Sequence, residues 1–228
     1  MPAFAGIYEL AEASRYLYVT TPQKPPPYST VRGWVIRGLP TPERRLPKQR
    51  GLLLTFEELV SLRMVLALRI AGFSLQHVRK VHTWLQDTTH YPRPFALKDL
   101  WVSETDIFAK MEGRLLSASK KGQYPMEFVK DWLHHLRRPT NGSLDMAFQR
   151  VDGNEVAVTW SPQLHIMLNP LMQFGAPCIE GTRIPTKSIW SMILGGDKPQ
   201  TLARDYGVPL DKVQSALDWE KKIANLAA

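Results

Sequence analysis

The sequence lacks the features that would assign it to several large classes of protein. Only one of its 228 residues is cysteine, Cys178, so an internal disulfide is excluded and a reducing compartment is favoured. No apolar run approaches the ~20 residues that a membrane-spanning helix requires. The first residues show no basic segment followed by an apolar core and a small-residue cleavage site, as a signal peptide would. We therefore expect a cytoplasmic protein.

Metal and cofactor signatures are also absent from the sequence. Neither His77 with His82 nor the pair His134-His135 has Cys or carboxylate neighbours at the spacing of a metal site. The Gly195-Gly196 pair lacks the additional glycines and the lysine of a phosphate-binding loop, and it is better explained as a helix stop. We expect neither a metal nor another cofactor.

The one arrangement that suggests catalysis is Cys178 with His165, thirteen residues before it. A cysteine and a histidine can act as nucleophile and base, but the sequence indicates no third orienting group and no oxyanion hole. A lone cysteine between proline and isoleucine is more often a small buried side chain. We expect no enzyme activity and keep a hydrolase that uses Cys178 only as a third alternative.

Positive charge is concentrated in the first part of the chain. Residues 1–94 contain 13 Lys and Arg against 6 Asp and Glu, whereas residues 95–228 contain 16 against 15. A basic unit joined to a nearly neutral one is typical of a polyanion-binding module attached to a second function. Solubility alone would explain the net charge of +8 but not its uneven distribution. Nucleic acid is therefore the expected partner of the first unit.

Residues 1–94 have the pattern of a winged helix-turn-helix. Apolar spacing predicts helices over residues 7–17 and 28–36, separated by a proline-rich loop. Prolines that alternate with basic residues over positions 40–50 suggest a basic wing. Thr55 starts a capping box before a third helix, and Ser74 caps a fourth.

The matching positions that identify this pattern are Thr30-Val31-Arg32 at the start of the second helix, Trp34 within it, Gly38-Leu39 at its end, and Gly72-Phe73-Ser74-Leu75. They resemble the DNA-binding domain of the MerR family. The proline-rich loop and wing depart from the family's pattern, and we find no counterpart of its long coiled-coil helix or effector site. The resemblance implies that the second helix enters the major groove of DNA.

The outward positions of that helix are the predicted DNA contacts. Arg32 is the candidate for reading guanine, because its guanidinium matches two acceptors on that base, and Ser29 and Thr30 are candidates for base or phosphate contacts. Other arginines would neutralise phosphates, which gives affinity without sequence information. These are Arg37 at the end of the helix and Arg44, Arg45 and Arg50 in the predicted wing. The alternative for any single one of them is a solvated face.

The middle of the chain, residues 95–160, is strand-rich and gives no functional signal. Its alternation of apolar and polar residues predicts short strands and one helix. The predicted elements are strands over 100–102, 106–110 and 114–117, a helix over 127–136, and a hairpin from 150–160 and 164–168 with Ser161-Pro162 as its turn.

Residues 175–220 contain the most distinctive pattern. Positions 175–185 form a tight segment in which glycines permit positive φ and prolines fix φ. A helix should follow and stop at Gly195-Gly196. A short helix over 199–206, a turn, and a helix from Leu210 onward should then form a second helix-turn-helix. Its outer face mixes acidic and basic residues, which favours protein over DNA contacts; they are Asp205, Asp211, Lys212, Asp218, Glu220, Lys221 and Lys222.

This stretch carries a Gly-x-Pro-x-Ile-x-Gly-Thr-Arg-Ile-Pro signature, a downstream Asp-Tyr and a Val-x-x-Ala-Leu. The residues are Gly175, Pro177, Ile179, Gly181, Thr182, Arg183, Ile184, Pro185, Asp205, Tyr206, Val213, Ala216 and Leu217. They resemble the bacterial family known as domain of unknown function 433. Many of its members resemble VapB-type antitoxins, which are encoded beside a PIN-like ribonuclease toxin.

Together the patterns predict an α+β protein, mainly α with small β elements. We expect a MerR-like winged-helix domain (1–94), a strand-rich connecting region (95–160) and a C-terminal antitoxin or dimerisation domain (161–228). The resemblances imply an antitoxin of a type II toxin–antitoxin system, which neutralises a PIN-like ribonuclease and represses its operon by binding operator DNA. The alternative is a MerR-like transcriptional regulator without a toxin partner.

The partner contacts follow from charge. Arg183, or the pair Arg137-Arg138, is the candidate toxin contact, because an arginine can block an active site lined by carboxylates and metal. A homodimer or a toxin–antitoxin hetero-oligomer is expected, because two-fold operators match two-fold proteins.

Overall fold

The computed structural model describes residues 6–21, 25–39, 51–70, 72–97, 100–102, 107–111, 114–117, 134–135 and 146–226. Within these ranges the chain is mainly α with small antiparallel sheets, so the predicted α+β class is confirmed. None of the described helices is long and apolar enough to cross a membrane.

Four of the described helices lie in the N-terminal part of the sequence and three in the C-terminal part, and most of the described strands lie between these two groups. The helices are α1 (Leu10–Val19), α2 (Tyr28–Ile36), α3 (Phe56–Ile70), α4 (Leu75–Thr89), α5 (Thr186–Leu194), α6 (Pro199–Tyr206) and α7 (Leu210–Asn225). The strands are β1 (Tyr8–Glu9), β2 (Leu53–Leu54), β3 (Leu100–Val102), β4 (Ile107–Met111), β5 (Arg114–Ser117), β6 (His134–His135), β7 (Met146–Val151), β8 (Asn154–Gln163), β9 (Ile166–Leu168) and β10 (Pro177–Ile179).

The first two helices follow the apolar spacing of the sequence. The predicted bounds of α2 agree with the structure, and Val31, Trp34 and Val35 are buried on its inner face. The helix α1 begins at Leu10 rather than at residue 7. The reason is that β1 pairs with β2, with Tyr8 opposite Leu54, and this pairing holds the chain extended up to the helix.

The next two helices begin at the caps that the sequence predicts. The Thr55 amide donates to Glu58 Oε2 at 2.9 Å, and the Glu58 amide donates to Thr55 Oγ1 at 3.3 Å, which is a reciprocal capping box. The His77 amide donates to Ser74 Oγ at 3.1 Å at the start of α4. The buried stripes that these helices bring together include Leu59, Leu62 and Leu66 on α3 and Val78, Val81 and Leu85 on α4.

A four-stranded antiparallel sheet has the order β5-β4-β3-β6. The three strands predicted near residues 100–117 are confirmed, with β4 one residue later than expected. The helix predicted over 127–136 is wrong at its end, because His134 and His135 pair with Val102 and Trp101 as β6. The remainder of that predicted helix lies outside the described residues.

A second antiparallel sheet has the order β10-β9-β8-β7 and crosses residue 160, where the sequence suggested a boundary. The predicted turn at Ser161-Pro162 is wrong, because β8 continues to Gln163 and the chain turns at His165, with a φ of 64°. The register between β8 and β9 shifts after Trp160. Such an irregularity tolerates a proline inside a strand, since no ladder hydrogen bond is lost there.

The C-terminal helices agree closely with their predicted bounds. The helix α5 ends at Leu194, directly before the predicted stop at Gly195-Gly196, and Gly207 ends α6 with a left-handed φ of 62°. The amphipathic α7 buries one face against α5, α6 and the sheet. That face consists of Val213, Ala216, Leu217 and Trp219.

The N-terminal helices and the C-terminal unit share one apolar core. The Tyr16 ring of α1 lies 5.7 Å from the Trp219 ring of α7, centroid to centroid. The Tyr8 hydroxyl donates to the Gly175 carbonyl oxygen at 2.9 Å. On the other side of the core, the Arg63 guanidinium of α3 lies 5.5 Å from the centroid of the Trp160 ring of β8.

Candidate DNA and partner interfaces

The outward face of α2 carries the described members of the predicted DNA-binding set. Ser29 and Arg32 are exposed and Thr30 is half-buried, all within the first turns of the helix. The opposite face is anchored in the core by Val31 and Trp34. An anchored apolar face and a polar N-terminal half are what a recognition helix needs, and the role of these residues stays a prediction.

Arg37 folds back along α2 rather than extending from it. Its Nε donates to the Gly33 carbonyl oxygen at 2.9 Å, and its Nη2 would lie 3.1 Å from a Cβ added at Gly33. Gly33 therefore makes room for the guanidinium of Arg37. The sequence analysis missed Arg79 of α4, which donates to the Arg37 carbonyl oxygen at 3.0 Å. This places a second cation at the C-terminal end of α2, where the helix dipole favours positive charge.

The other predicted arginines lie outside the described residues, and their contacts stay predictions. They are Arg44, Arg45 and Arg50 of the wing, and Arg137 and Arg138 of the candidate toxin contact. The structure does describe the chain that follows the wing, where the Leu10 amide donates to the Leu52 carbonyl oxygen at 2.9 Å. The base of the predicted wing is thereby attached to the start of α1.

The signature segment forms a tight hairpin between β10 and α5. The backbones of Cys178 and Pro185 form an isolated antiparallel β-bridge, and the Ile179 amide donates to the Ile184 carbonyl oxygen at 2.9 Å. Thr182 holds the turn from inside, because its Oγ1 donates to the Ile179 carbonyl oxygen at 2.8 Å and accepts from the Ile184 amide at 3.1 Å. The Thr182 hydroxyl therefore hydrogen-bonds the backbone on both sides of the turn, which explains the threonine in the motif.

Arg183 lies at the tip of this signature hairpin. Gly181 turns the chain with a left-handed φ of 79°, and Gln173 Nε2 donates to the Arg183 carbonyl oxygen at 3.0 Å. The Arg183 side chain is exposed and makes no hydrogen bond or ion pair with the residues that the structure describes. The hairpin therefore presents an unpaired cation on a fixed backbone.

A polar cluster joins the hairpin to the start of α7. His165 Nδ1 lies 3.7 Å from Glu180 Oε2, and His165 Nε2 lies 3.5 Å from Asp211 Oδ2. The Glu180 amide donates to the His165 carbonyl oxygen at 2.8 Å, and Lys212 Nζ donates to the Glu180 carbonyl oxygen at 3.0 Å. The backbone of the hairpin is thus fixed by the turn between β8 and β9 on one side and by α7 on the other.

Cys178 lies in surroundings that do not activate a thiol. It is 1% exposed, its Sγ lies 3.4 Å from the Ala176 carbonyl oxygen, and burial raises the pKa of the thiol to about 11. Thiolate is the nucleophilic form of cysteine, and burial in apolar surroundings disfavours it. The ring nitrogens of His165 face the carboxylates of Glu180 and Asp211 instead.

Glu220 does not belong to the outer face of the second helix-turn-helix, and that part of the prediction is wrong. It is half-buried and accepts a hydrogen bond from Thr186 Oγ1 at the start of α5. Burial raises the pKa of Glu220, against the opposing effects of the Thr186 hydrogen bond and of Lys187. The helical period places residue 220 near the boundary between the buried and the exposed face of α7. The contact with Thr186 of the neighbouring α5 is what turns its side chain inward. Asp205, Asp211 and Asp218 are exposed as expected.

The signature hairpin, α5, α6 and most of α7 lie within one family match. Residues 166–219 match the family described as "Protein of unknown function (DUF433)". The family resemblance of the signature residues is thereby confirmed.

Two curated relatives come from Mycobacterium tuberculosis. The first, named "Putative antitoxin VapB45", is 27% identical over 93% of this chain and 92% of its own length. The second, named "Uncharacterized protein Rv2308", is 38% identical over 28% of this chain and 27% of its own length. Over nearly its whole length, the chain is therefore similar to a protein named as an antitoxin.

The fold also has a solved relative. The crystal structure of Rv2018 from Mycobacterium tuberculosis aligns with a TM-score of 0.61 over 92% of this chain and 96% of that one, at 22% identity. At this identity the likeness shows a shared fold. The MerR-like character of residues 1–94 stays a prediction.

Proposed function

We propose that this protein is the antitoxin of a type II toxin–antitoxin system, which neutralises a PIN-like ribonuclease and represses its own operon by binding operator DNA. One observation carries the proposal. The similarity to a protein named as an antitoxin extends over 93% of the chain, so it includes both the α1–α4 unit and the signature hairpin. We assign DNA binding to residues 1–94 and toxin binding to residues 161–228.

The toxin contact is assigned to the signature hairpin. A guanidinium matches carboxylates bidentately, and a ribonuclease active site that holds metal through carboxylates presents such groups. Arg183 is suited to this contact because its side chain is exposed and unpaired within the described part of the chain, while its backbone is held by Gln173. Binding then costs little ordering of the loop. Arg137 and Arg138 remain the alternative pair.

The toxin assignment is tested by growth rescue. The open reading frame beside the gene is induced in a host cell with and without this protein, and growth restored only by co-expression supports the proposal. The Arg183→Ala variant should lose toxin affinity by about tenfold or more, as expected for a hydrogen bond to a charged group. Arg204→Ala is the matched control, because Arg204 is an exposed cation of the same unit that pairs with the adjacent Asp205 at 3.1 Å.

Two outcomes would count against this assignment. Wild-type toxin affinity in both the Arg183→Ala and the Arg137→Ala/Arg138→Ala variants would remove the charge-based contact. A neighbouring product that is not toxic, or whose toxicity this protein does not relieve, would favour the alternative of a regulator without a toxin. Mass measurement of the complex in solution would test the proposed homodimer or hetero-oligomer.

Operator binding is assigned to the exposed side of α2. Because phosphate contacts release counterions, the binding constant should fall steeply as salt rises. Arg32→Ala should weaken operator binding by roughly tenfold to a hundredfold and relax the preference for one base. Arg150→Ala, an exposed cation on β7, is the control and should change little. Titration of operator DNA at several salt concentrations measures both effects, and affinity that is independent of salt would contradict the assignment.

A further inference from the structure

Two large apolar side chains are exposed on the turn that precedes the signature hairpin. Leu171 is 69% exposed and Phe174 is 70% exposed. The residue between them in space and sequence, Gln173, reaches the hairpin, because its Nε2 donates to the Arg183 carbonyl oxygen at 3.0 Å. The backbone beside the phenylalanine is thereby joined to the backbone that carries the exposed guanidinium at the tip of the hairpin.

The backbone of this turn has a conformation that phenylalanine rarely adopts. Gln173, Phe174 and Gly175 all have left-handed φ, at 47°, 58° and 92°. Among these three residue types only glycine adopts such angles at no steric cost. Hydrogen bonds on both sides hold the turn in place. The Gly175 amide donates to the Met172 carbonyl oxygen at 2.8 Å, and the Ile7 amide donates to the Phe174 carbonyl oxygen at 3.2 Å.

The fold gains little from phenylalanine at position 174. Because 70% of the residue is exposed, apolar burial offsets only a small part of the cost of the left-handed backbone, and glycine or asparagine would suit this φ better. Strained residues of this kind are concentrated at binding and active sites. Aromatic residues and arginine also supply much of the binding energy in protein interfaces. A protein partner that covers the ring would explain the phenylalanine.

The charges beside the turn favour a different protein over a second copy of this chain. Arg183 and Lys187 are exposed, and Arg183 forms no ion pair with the residues that the structure describes. The acidic residue of the hairpin, Glu180, faces His165. In a two-fold contact between copies, the same surface would face itself and these cations would approach their own counterparts. An acidic partner surface would pair with them instead.

We propose that Phe174 and Leu171 form the apolar part of the toxin contact, next to Arg183 as its charged part. The partner surface that fits them is an apolar pocket with carboxylates at its edge. This inference rests on the proposed function and adds to it the residues that are buried when the toxin binds. Because the backbone of the turn is already fixed by hydrogen bonds, insertion of the ring costs little ordering.

The proposal is tested by calorimetric titration of the full chain with the purified product of the neighbouring open reading frame. Phe174→Asn removes the ring and introduces a residue that tolerates left-handed φ. It should weaken binding by about tenfold or more, while the urea midpoint of the free chain stays unchanged or rises. Leu171→Ser should weaken binding by about threefold to tenfold. Leu194→Asn is the matched control, because Leu194 is also 70% exposed but lies at the last residue of α5, about 12 Å along the helix from the hairpin.

The outcomes separate this proposal from the proposed function. If the wild-type chain binds the product and Phe174→Asn binds it equally well, the apolar contact is overturned and the proposed function stands. If the wild-type chain does not bind the product, both are overturned. A urea midpoint that falls in Phe174→Asn would assign the ring a structural role instead. Dissociation of a homodimer of the free chain by Phe174→Asn, measured by mass in solution, would assign the ring to a contact between copies and would also overturn the proposal.

Discussion

The contact between Tyr8 and Gly175 makes a sharp prediction about the first glycine of the signature. Gly175 has a left-handed φ of 92°, and a Cβ added there would overlap the Tyr8 hydroxyl oxygen and lie 2.8 Å from Tyr8 Cζ. Tyr8 is 1% exposed and its hydroxyl donates to the Gly175 carbonyl oxygen, so the ring has no room to retreat. Gly175→Ala should therefore disrupt the junction between β1 and the C-terminal unit.

The magnitude follows from two contributions. A left-handed backbone costs a non-glycine residue about 1–2 kcal/mol. Displacing Tyr8 breaks a buried hydrogen bond and leaves a hydroxyl without a partner, which costs about 1–3 kcal/mol more. The free energy of unfolding should fall by about 2–5 kcal/mol. Gly196→Ala is a matched control, because Gly196 has a similar φ of 105° and open space where the Cβ would lie. In Gly196→Ala the free energy of unfolding should fall only by the backbone contribution, about 1–2 kcal/mol.

Urea unfolding, monitored by tryptophan fluorescence, measures the loss of unfolding free energy in both glycine variants. A second comparison introduces Gly175→Ala into a protein that already carries Tyr8→Phe. Removing the hydroxyl takes away the worst overlap but not the contact at Cζ, so Gly175→Ala should cost less in that background than in the wild type. Equal losses for Gly175→Ala and Gly196→Ala would refute the reasoning. So would an equal cost of Gly175→Ala with and without the Tyr8 hydroxyl.

Two further predictions concern buried ionisable groups. Burial raises the pKa of Glu58 to about 7, so the folded state holds this proton more tightly than the unfolded chain. Its contribution to stability is therefore complete below about pH 4.5 and is lost as the pH rises through about 7. Glu58→Gln keeps a side chain that can cap the helix but removes the titrating carboxyl group. The fall in the free energy of unfolding between about pH 4.5 and 7 should therefore be smaller by about 1–3 kcal/mol in urea unfolding. An unchanged fall would contradict the assignment. Cys178, with its raised pKa and 1% exposure, should react with a disulfide reagent only when the chain unfolds, and rapid labelling of the folded protein would show that it is accessible.

Local signals account for the elements that the sequence predicted well. The capping box of Thr55 and Glu58, the Ser74 cap and the Gly207 turn all act within a few residues, and each lies where it was expected. The helices α2, α5, α6 and α7 followed from the same kind of signal. The signature segment was also recognisable, and within it Gly181 and Thr182 are required by one short hairpin.

Non-local pairing accounts for the errors. His134 and His135 form a strand only because β3 lies beside them, and no property of the two histidines indicates this. Pro162 suggested a turn, whereas the bulge between β8 and β9 tolerates it. Glu220 was placed on an exposed face because the period of α7 does not show that Thr186 lies opposite. The cavity of about 410 Å³ that is lined by Glu57, Val156 and Leu171 was missed for the same reason, since its walls are far apart in the sequence.

The contacts across the core bear on how partner binding should be measured. The family match covers residues 166–219, but two residues within this range are held by residues outside it. Trp219 is fully buried and contacts Tyr16, while Gly175 accepts the hydrogen bond from Tyr8. A fragment that contains only the family match would expose the indole and release the backbone of the segment that leads into the signature hairpin. Since Arg183 is proposed to bind through a backbone fixed in advance, its affinity for a toxin should be measured on the full chain, where α1 and β1 support that hairpin.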